Sequence, residues 1–127
     1  MRELIKKAMR RTDVVKLGKH QVKIAKITPK KWREMVECIN VLPQIIENIR
    51  CAPPEDFTLY VMNGLEVASD DIVRTVSVLT GIEIEELDDT GGIGMDQLIE
   101  YLRLTYEYNN IDDIVKNVKR LLPMPTE

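Results

Sequence analysis

The side chains best equipped for chemistry in this chain of 127 residues are few: His20, the only histidine, Cys38, Cys51, and the run Asp88-Asp89-Thr90-Gly91-Gly92-Ile93-Gly94. His20 lies between Lys19 and Gln21 with no triad partner nearby, so it reads as a turn residue rather than a catalytic base. Zinc held by Cys38, Cys51 and His20 would lack a fourth ligand and the close ligand pairs of a structural site. The acidic glycine run combines carboxylates with backbone freedom, the ingredients of a phosphate or calcium loop. No Gly-Lys-Ser/Thr follows it, however, and no preceding strand and third glycine complete a dinucleotide fingerprint. The calcium-loop pattern is also missed, with Thr90 and Gly92 at its third and fifth positions and Ile99 at its twelfth. The run reads as a flexible acidic loop. No catalytic, cofactor-binding or metal residue is assigned, and the chain is expected not to be an enzyme.

The elements that would position side chains are mostly helical. The clearest local signals lie in Ser69 to Leu87. Ser69 has the chemistry of an N-cap, and Asp70 and Asp71 place negative charge at the positive end of a helix. Ile72, Val73, Val76 and Leu79 recur on one face, and Gly81 offers a left-handed stop. This predicts a helix of about three turns beginning at Ser69, then a short turn from Ile82 to Leu87. Upstream, Asn63-Gly64 argues against one continuous helix through Phe57 to Val67.

Residues 2 to 11 have the pattern of a short amphipathic helix, with Leu4, Ile5, Ala8 and Met9 on one side. Val15 and Leu17, then Val22 and Ile24, alternate with lysines around Gly18-Lys19, which predicts a two-stranded hairpin lying on the helices. Thr28 and Pro29 open a helix striped by Trp32, Met35, Val36, Ile39 and Leu42 and extended by Ile45, Ile46 and Ile49. Pro43 predicts a kink or a second helix near Leu42. A linker at Cys51–Asp56 separates this part from the rest. Leu98, Ile99, Leu102 and Tyr106 stripe a helix over Met95 to Tyr108. Asn110 would cap a last helix, acidic at its start and basic at its end, that Pro123 stops. The fold expected is mainly α: a small helical domain of five to six helices with an N-terminal β-hairpin. Residues 1–127 form one domain, with an N-terminal helix (1–12), a basic part (13–50) and an acidic part (57–122).

Composition narrows the class. Hydrophobic residues make up 44% and charged residues 31%, the balance of a globular chain, while aromatics at 5% leave the core to Ile, Leu, Val and Met. No apolar run is long enough to span a membrane, and the basic N-terminus lacks a signal peptide's apolar region. Two cysteines make no secreted framework, so reduced thiols and the cytosol are expected. Net charge is −3 but uneven: residues 1–36 carry twelve Lys or Arg against three acids (+9), and the remainder six against eighteen (−12). Either a basic arm meets nucleic acid, or the two parts face each other within or between molecules. Only Trp32 lies in the basic part, so a stacking platform for single strands is missing. Val78, Met62, Leu104 and Tyr108 fall off the main stripes, where they either pack internally or mark a protein-binding surface.

The order VVKLGKHQVKIAKIT, PKKWREMVECI, a Pro-rich link, DDIVRTVSVLTGIEIEEL and a closing helical pair resembles the tail assembly chaperones of long-tailed bacteriophages and related prophages. The resemblance covers about residues 13 to 122 and is most specific at Thr80-Gly81 and Ile84-Glu85-Glu86-Leu87. It implies a non-enzymatic protein of the host cytoplasm. Such a protein binds the tape measure protein, keeps it soluble until tail tube protein polymerises around it, and leaves before the virion is finished. It further implies several copies along one client, with self-association matching the +9/−12 split, and a longer form made by frameshifting. The client surface expected is Trp32, Met35, Ile39, Val78, Leu102 and Tyr106. Two other classes stay open: a structural virion component, such as a head–tail connector or tail-completion subunit, and a nucleic-acid-binding regulator, against which the acidic pI speaks.

Overall fold

Strand alternation yields the expected antiparallel hairpin, β1 (Val14–Leu17) and β2 (His20–Lys23), with Val15 opposite Val22 and Leu17 opposite His20. The computed structural model describes residues 14–122. The expected helix over residues 2 to 11 and Pro123 lie outside the described residues. Val15 and Leu17 are buried, and β1 packs on a later helix, as a hairpin too small to stand alone requires. Thr28 Oγ1 accepts from the Lys31 N–H at 3.3 Å and caps α1 (Pro29–Cys38). The expected break gives two helices: α1 ends at Cys38, and Pro43 sits in the first turn of α2 (Leu42–Arg50), where its missing N–H costs nothing.

The largest departure from expectation is α3 (Phe57–Thr80), one continuous helix of 24 residues, about 36 Å long. Ser69 is not its N-cap: it lies in mid-helix, and its hydroxyl donates to the Glu66 carbonyl at 3.0 Å. Nor does Asn63-Gly64 interrupt it. Gly64 is buried under α2, and a Cβ there would stand 2.6 Å from Ile45 Cγ2, so the glycine permits close helix approach at a modest cost in propensity. The C-terminal end is as expected, with Gly81 in the left-handed region (φ 81°) and its N–H donating to the Ser77 carbonyl at 2.8 Å.

Beyond α3 the acidic run is partly helical rather than a free loop. Glu86–Thr90 form a π-helical turn that buries Leu87, and the Gly91 N–H closes it onto the Glu86 carbonyl at 2.8 Å. His20 reaches this turn and pairs with Glu86. The chain closes with α4 (Met95–Tyr108) and α5 (Ile111–Leu121). Asn110 precedes α5 but does not cap it through its side chain; it adopts a left-handed conformation (φ 52°) that turns the chain. The fold is mainly helical with an N-terminal hairpin, with five α-helices among the described residues.

The core gathers Val15, Leu17 and Ile24 from the hairpin region, Ile72, Val73, Val76 and Leu79 from α3, then Ile82, Leu87, Leu98 and Tyr101. Full burial of each such aliphatic side chain is worth roughly 1.5–3 kcal/mol over exposure. α3 is the hub, packing against α1, α2, α4 and the π turn.

Asp71, expected at an N-terminus, serves a different one. It is 2% exposed in the middle of α3, and its Oδ2 accepts from the N–H groups of Asn40, Val41 and Leu42 at 2.7, 2.8 and 3.0 Å. It thus caps α2 from another helix. Burial pushes the carboxyl pKa up, but the three N–H donors and Arg74 outweigh it and hold the value below the ordinary 3.8. A depressed folded-state value means that this stability is present above 3.8 and is lost as pH falls through the folded-state pKa. Asp71→Asn is expected to cost about 1–3 kcal/mol near neutral pH and to flatten the acid limb of the stability curve. Urea denaturation of both proteins from neutral to acid pH measures this, and parallel curves would exclude the ionic cap.

Candidate functional site: an apolar groove along α3

One stripe of α3 lies at the bottom of a cleft between the helices packed on either side of it, buried except for half-buried Leu65. Gly64, Leu65, Ala68, Ile72, Thr75 and Leu79 follow helical spacing along about 22 Å and form the floor of a groove. α1 and α2 raise one wall from Trp32, Met35, Ile39, Leu42, Ile45, Ile46 and Ile49; α4 and the first residue of α5 raise the other from Ile99, Leu102, Tyr106 and Ile111. The space enclosed is about 500 Å³. Among the described residues, Arg103 is the only charged one in the lining.

Polar contacts fasten the walls in place. Lys31 Nζ donates to the Val78 carbonyl at 2.7 Å, tying α1 to the end of α3, where a cation also meets the negative end of the helix dipole. Asp71 ties the α1–α2 junction to the middle of α3. Asn109 secures the far side: its Oδ1 accepts from the Ile27 N–H at 2.8 Å, and its Nδ2 donates to the carbonyls of Ala25 and Thr105 at 2.8 and 2.9 Å. At the rim, Arg103 bridges Glu100 and Glu107 at 2.5 and 2.8 Å. The Tyr106 hydroxyl donates to Asp112, and that bond, favouring the neutral phenol, raises the Tyr106 pKa.

One atom of the floor stands apart. Thr75 Oγ1 is buried with no hydrogen-bond partner, whereas the Thr105 hydroxyl donates to the Tyr101 carbonyl at 2.8 Å. An unpaired buried hydroxyl is costly, so Thr75 is a weak point in the packing of the floor.

Of the six residues expected to form a client surface, Trp32, Met35, Ile39, Leu102 and Tyr106 line this one groove; Val78 does not, and only its carbonyl is engaged, by Lys31. Sequence reasoning left out Ile45, Ile46, Ile49 and Ile99. Their signal was present as helical stripes, and Ile46 is 56% exposed. Off-stripe Met62 and Tyr108 are exposed and lie outside the groove, as does half-buried Leu104. Cys38 and Cys51 carry free thiols. Among the described residues no cluster of His, Cys, Asp or Glu is placed to hold a metal ion, and no helix is long and apolar enough to cross a membrane. Among the described residues the groove lining holds no nucleophile–base pair.

Comparison with known proteins finds no match among protein-family models, curated proteins or solved structures.

Two measurements probe the groove directly. Thr75→Val replaces the unpaired hydroxyl by a methyl group of the same shape and is expected to stabilise the free protein by about 1 kcal/mol in chemical denaturation; destabilisation would mean that the hydroxyl is already satisfied. Trp32, the only tryptophan and 43% exposed at the groove edge, reports occupancy. Its emission is expected to shift to the blue when an apolar probe fills the groove, and an Ile46→Glu variant should lose that shift.

Proposed function

We propose that this chain is a non-enzymatic binding protein that seats an amphipathic client helix in the α3 groove. The groove itself carries the reading. A channel about 22 Å long, lined by aliphatic and aromatic side chains and rimmed by ion pairs, matches the helix-in-groove mode, in which residues at i, i+3, i+4 and i+7 of the ligand make the contacts. Trp32 and Tyr106 on opposite walls are the residue types that dominate such interfaces. Following the resemblance in residues 13 to 122, the client is a tape measure protein, whose long helices expose apolar faces until tail tube protein encloses them. The chain would act in the host cytoplasm as a tail assembly chaperone, holding the client soluble and leaving before the virion is complete.

Co-expression with the large helix-rich protein encoded beside it tests this reading. Capture and rescue of an otherwise insoluble client is the expected result, with affinity falling at least tenfold in Trp32→Ala and Ile46→Glu variants that stay folded. Recovery of the chain in purified particles would instead favour a structural virion component. Salt-sensitive DNA binding without client capture would favour a regulator.

A further inference from the structure

α5 carries a further apolar surface that the other described residues leave uncovered. Ile111, Ile114, Val115, Val118 and Leu121 fall on one helical face, and beyond Ile111 all are exposed, Leu121 to 84%. Among the described residues its main packing is against the end of α4. A helix of eleven residues is too short to persist in water without cover for that face.

The same chain holds a groove of matching dimensions. α5 is about 16 Å long, and the floor of the groove about 22 Å. Only Ile111 enters the groove lining; the left-handed Asn110 carries the rest of α5 away from it, so the chain's own helix leaves its own groove open. Charge agrees in sign. The last two turns of α5 carry Lys116, Lys119 and Arg120 with no acid, and the α4 rim carries Glu100 and Glu107 against Arg103. Among the described residues, each chain presents both the open groove and the uncovered helix.

We propose that the groove of each copy receives α5 from a second copy, and that a client helix displaces it. Exchange between two copies covers both apolar surfaces at once and closes as a twofold pair. The inference rests on the groove being a helix-binding site, and it adds a built-in competitor that shields the groove when no client is present.

Light scattering of the full chain during size exclusion, over about 1–100 µM, tests the exchange. The expected result is a dimer that dissociates on dilution, with Val118→Glu on α5 and Ile46→Glu in the groove each weakening it at least tenfold. Both positions are exposed, so circular dichroism should show the fold unchanged. Mixing the two variants leaves one intact helix–groove contact and should restore a one-to-one heterodimer. A wild-type monomer at the highest concentration, or a dimer indifferent to both substitutions, would overturn the proposal. Val118→Glu retains its groove, so it must capture client at least as well as the wild-type chain. Client capture by a monomeric wild type would sink the exchange and leave the binding reading standing.

Discussion

Three backbone N–H groups converge on one buried oxygen of Asp71, and the placement of α2 depends on that contact. The break between α1 and α2 leaves the start of α2 without a capping side chain of its own, since Val41 cannot supply one. Asp71 supplies it from the middle of α3. A buried carboxylate costs several kcal/mol in lost hydration, and only good geometry and full pairing offset that cost. Three charge-assisted bonds and Arg74 at 3.4 Å do so here, as the depressed pKa of the group records. Without them α2 would have apolar contacts with α3 but no fixed register. Its four residues on the groove wall would then lose their alignment with the floor.

Where sequence reasoning succeeded and failed follows from the range of each signal. The hairpin, the Thr28 cap, the Pro43 break and the Gly81 stop are local, each decided by a residue and its near neighbours, and each was legible. Ser69-Asp70-Asp71 has the same local form but a different use. The acid does cap a helix N-terminus, but one some thirty residues earlier in the chain, a pairing that spacing along one helix cannot reveal. Asn63-Gly64 failed for a related reason: glycine's low helix propensity costs about 1 kcal/mol, and tight packing by Ile45 and Ile49 outweighs it. Asn109, not Asn110, proved to be the asparagine with structural work, because its partners at Ala25 and Ile27 are more than eighty residues away.

The site was legible as a set of stripes and illegible as a groove. Periodicity identified apolar faces on α1, α2, α3 and α4, and five expected residues, from α1, the turn after it and α4, lie together on one surface. Periodicity does not tell which faces meet and which stay apart. That depends on the spacing of α1–α2 from α4 across α3, which the clamps at Lys31, Asp71 and Asn109 set. Val78 shows the limit: it falls off the main α3 stripe, and on a helix packed on several sides that position lies outside the groove. Tyr101, fully buried at the centre of the core, was overlooked because its neighbours Leu98 and Leu102 already made a plausible stripe.

An apolar groove in water should close, because every buried methylene contributes about 0.8 kcal/mol. Apolar packing has no preferred spacing, so a domain held by packing alone would let its walls collapse onto the floor. Directional polar bonds do have a preferred spacing. Lys31 to the Val78 carbonyl, Asp71 to the α2 N-terminus and Asn109 to the Ala25–Ile27 segment act at three separate places along the groove, and the short side chains of Asp71 and Asn109 hold their bonds only over a narrow range of distance between elements. Shifting a wall inward would break at least one of them and leave a part-buried donor or acceptor unpaired, at about 1–3 kcal/mol each. The groove therefore stays open because closing it would exchange formed hydrogen bonds for imperfect apolar contact. A helix that entered it would meet walls already in position, so its binding energy would go into contacts rather than into ordering the site.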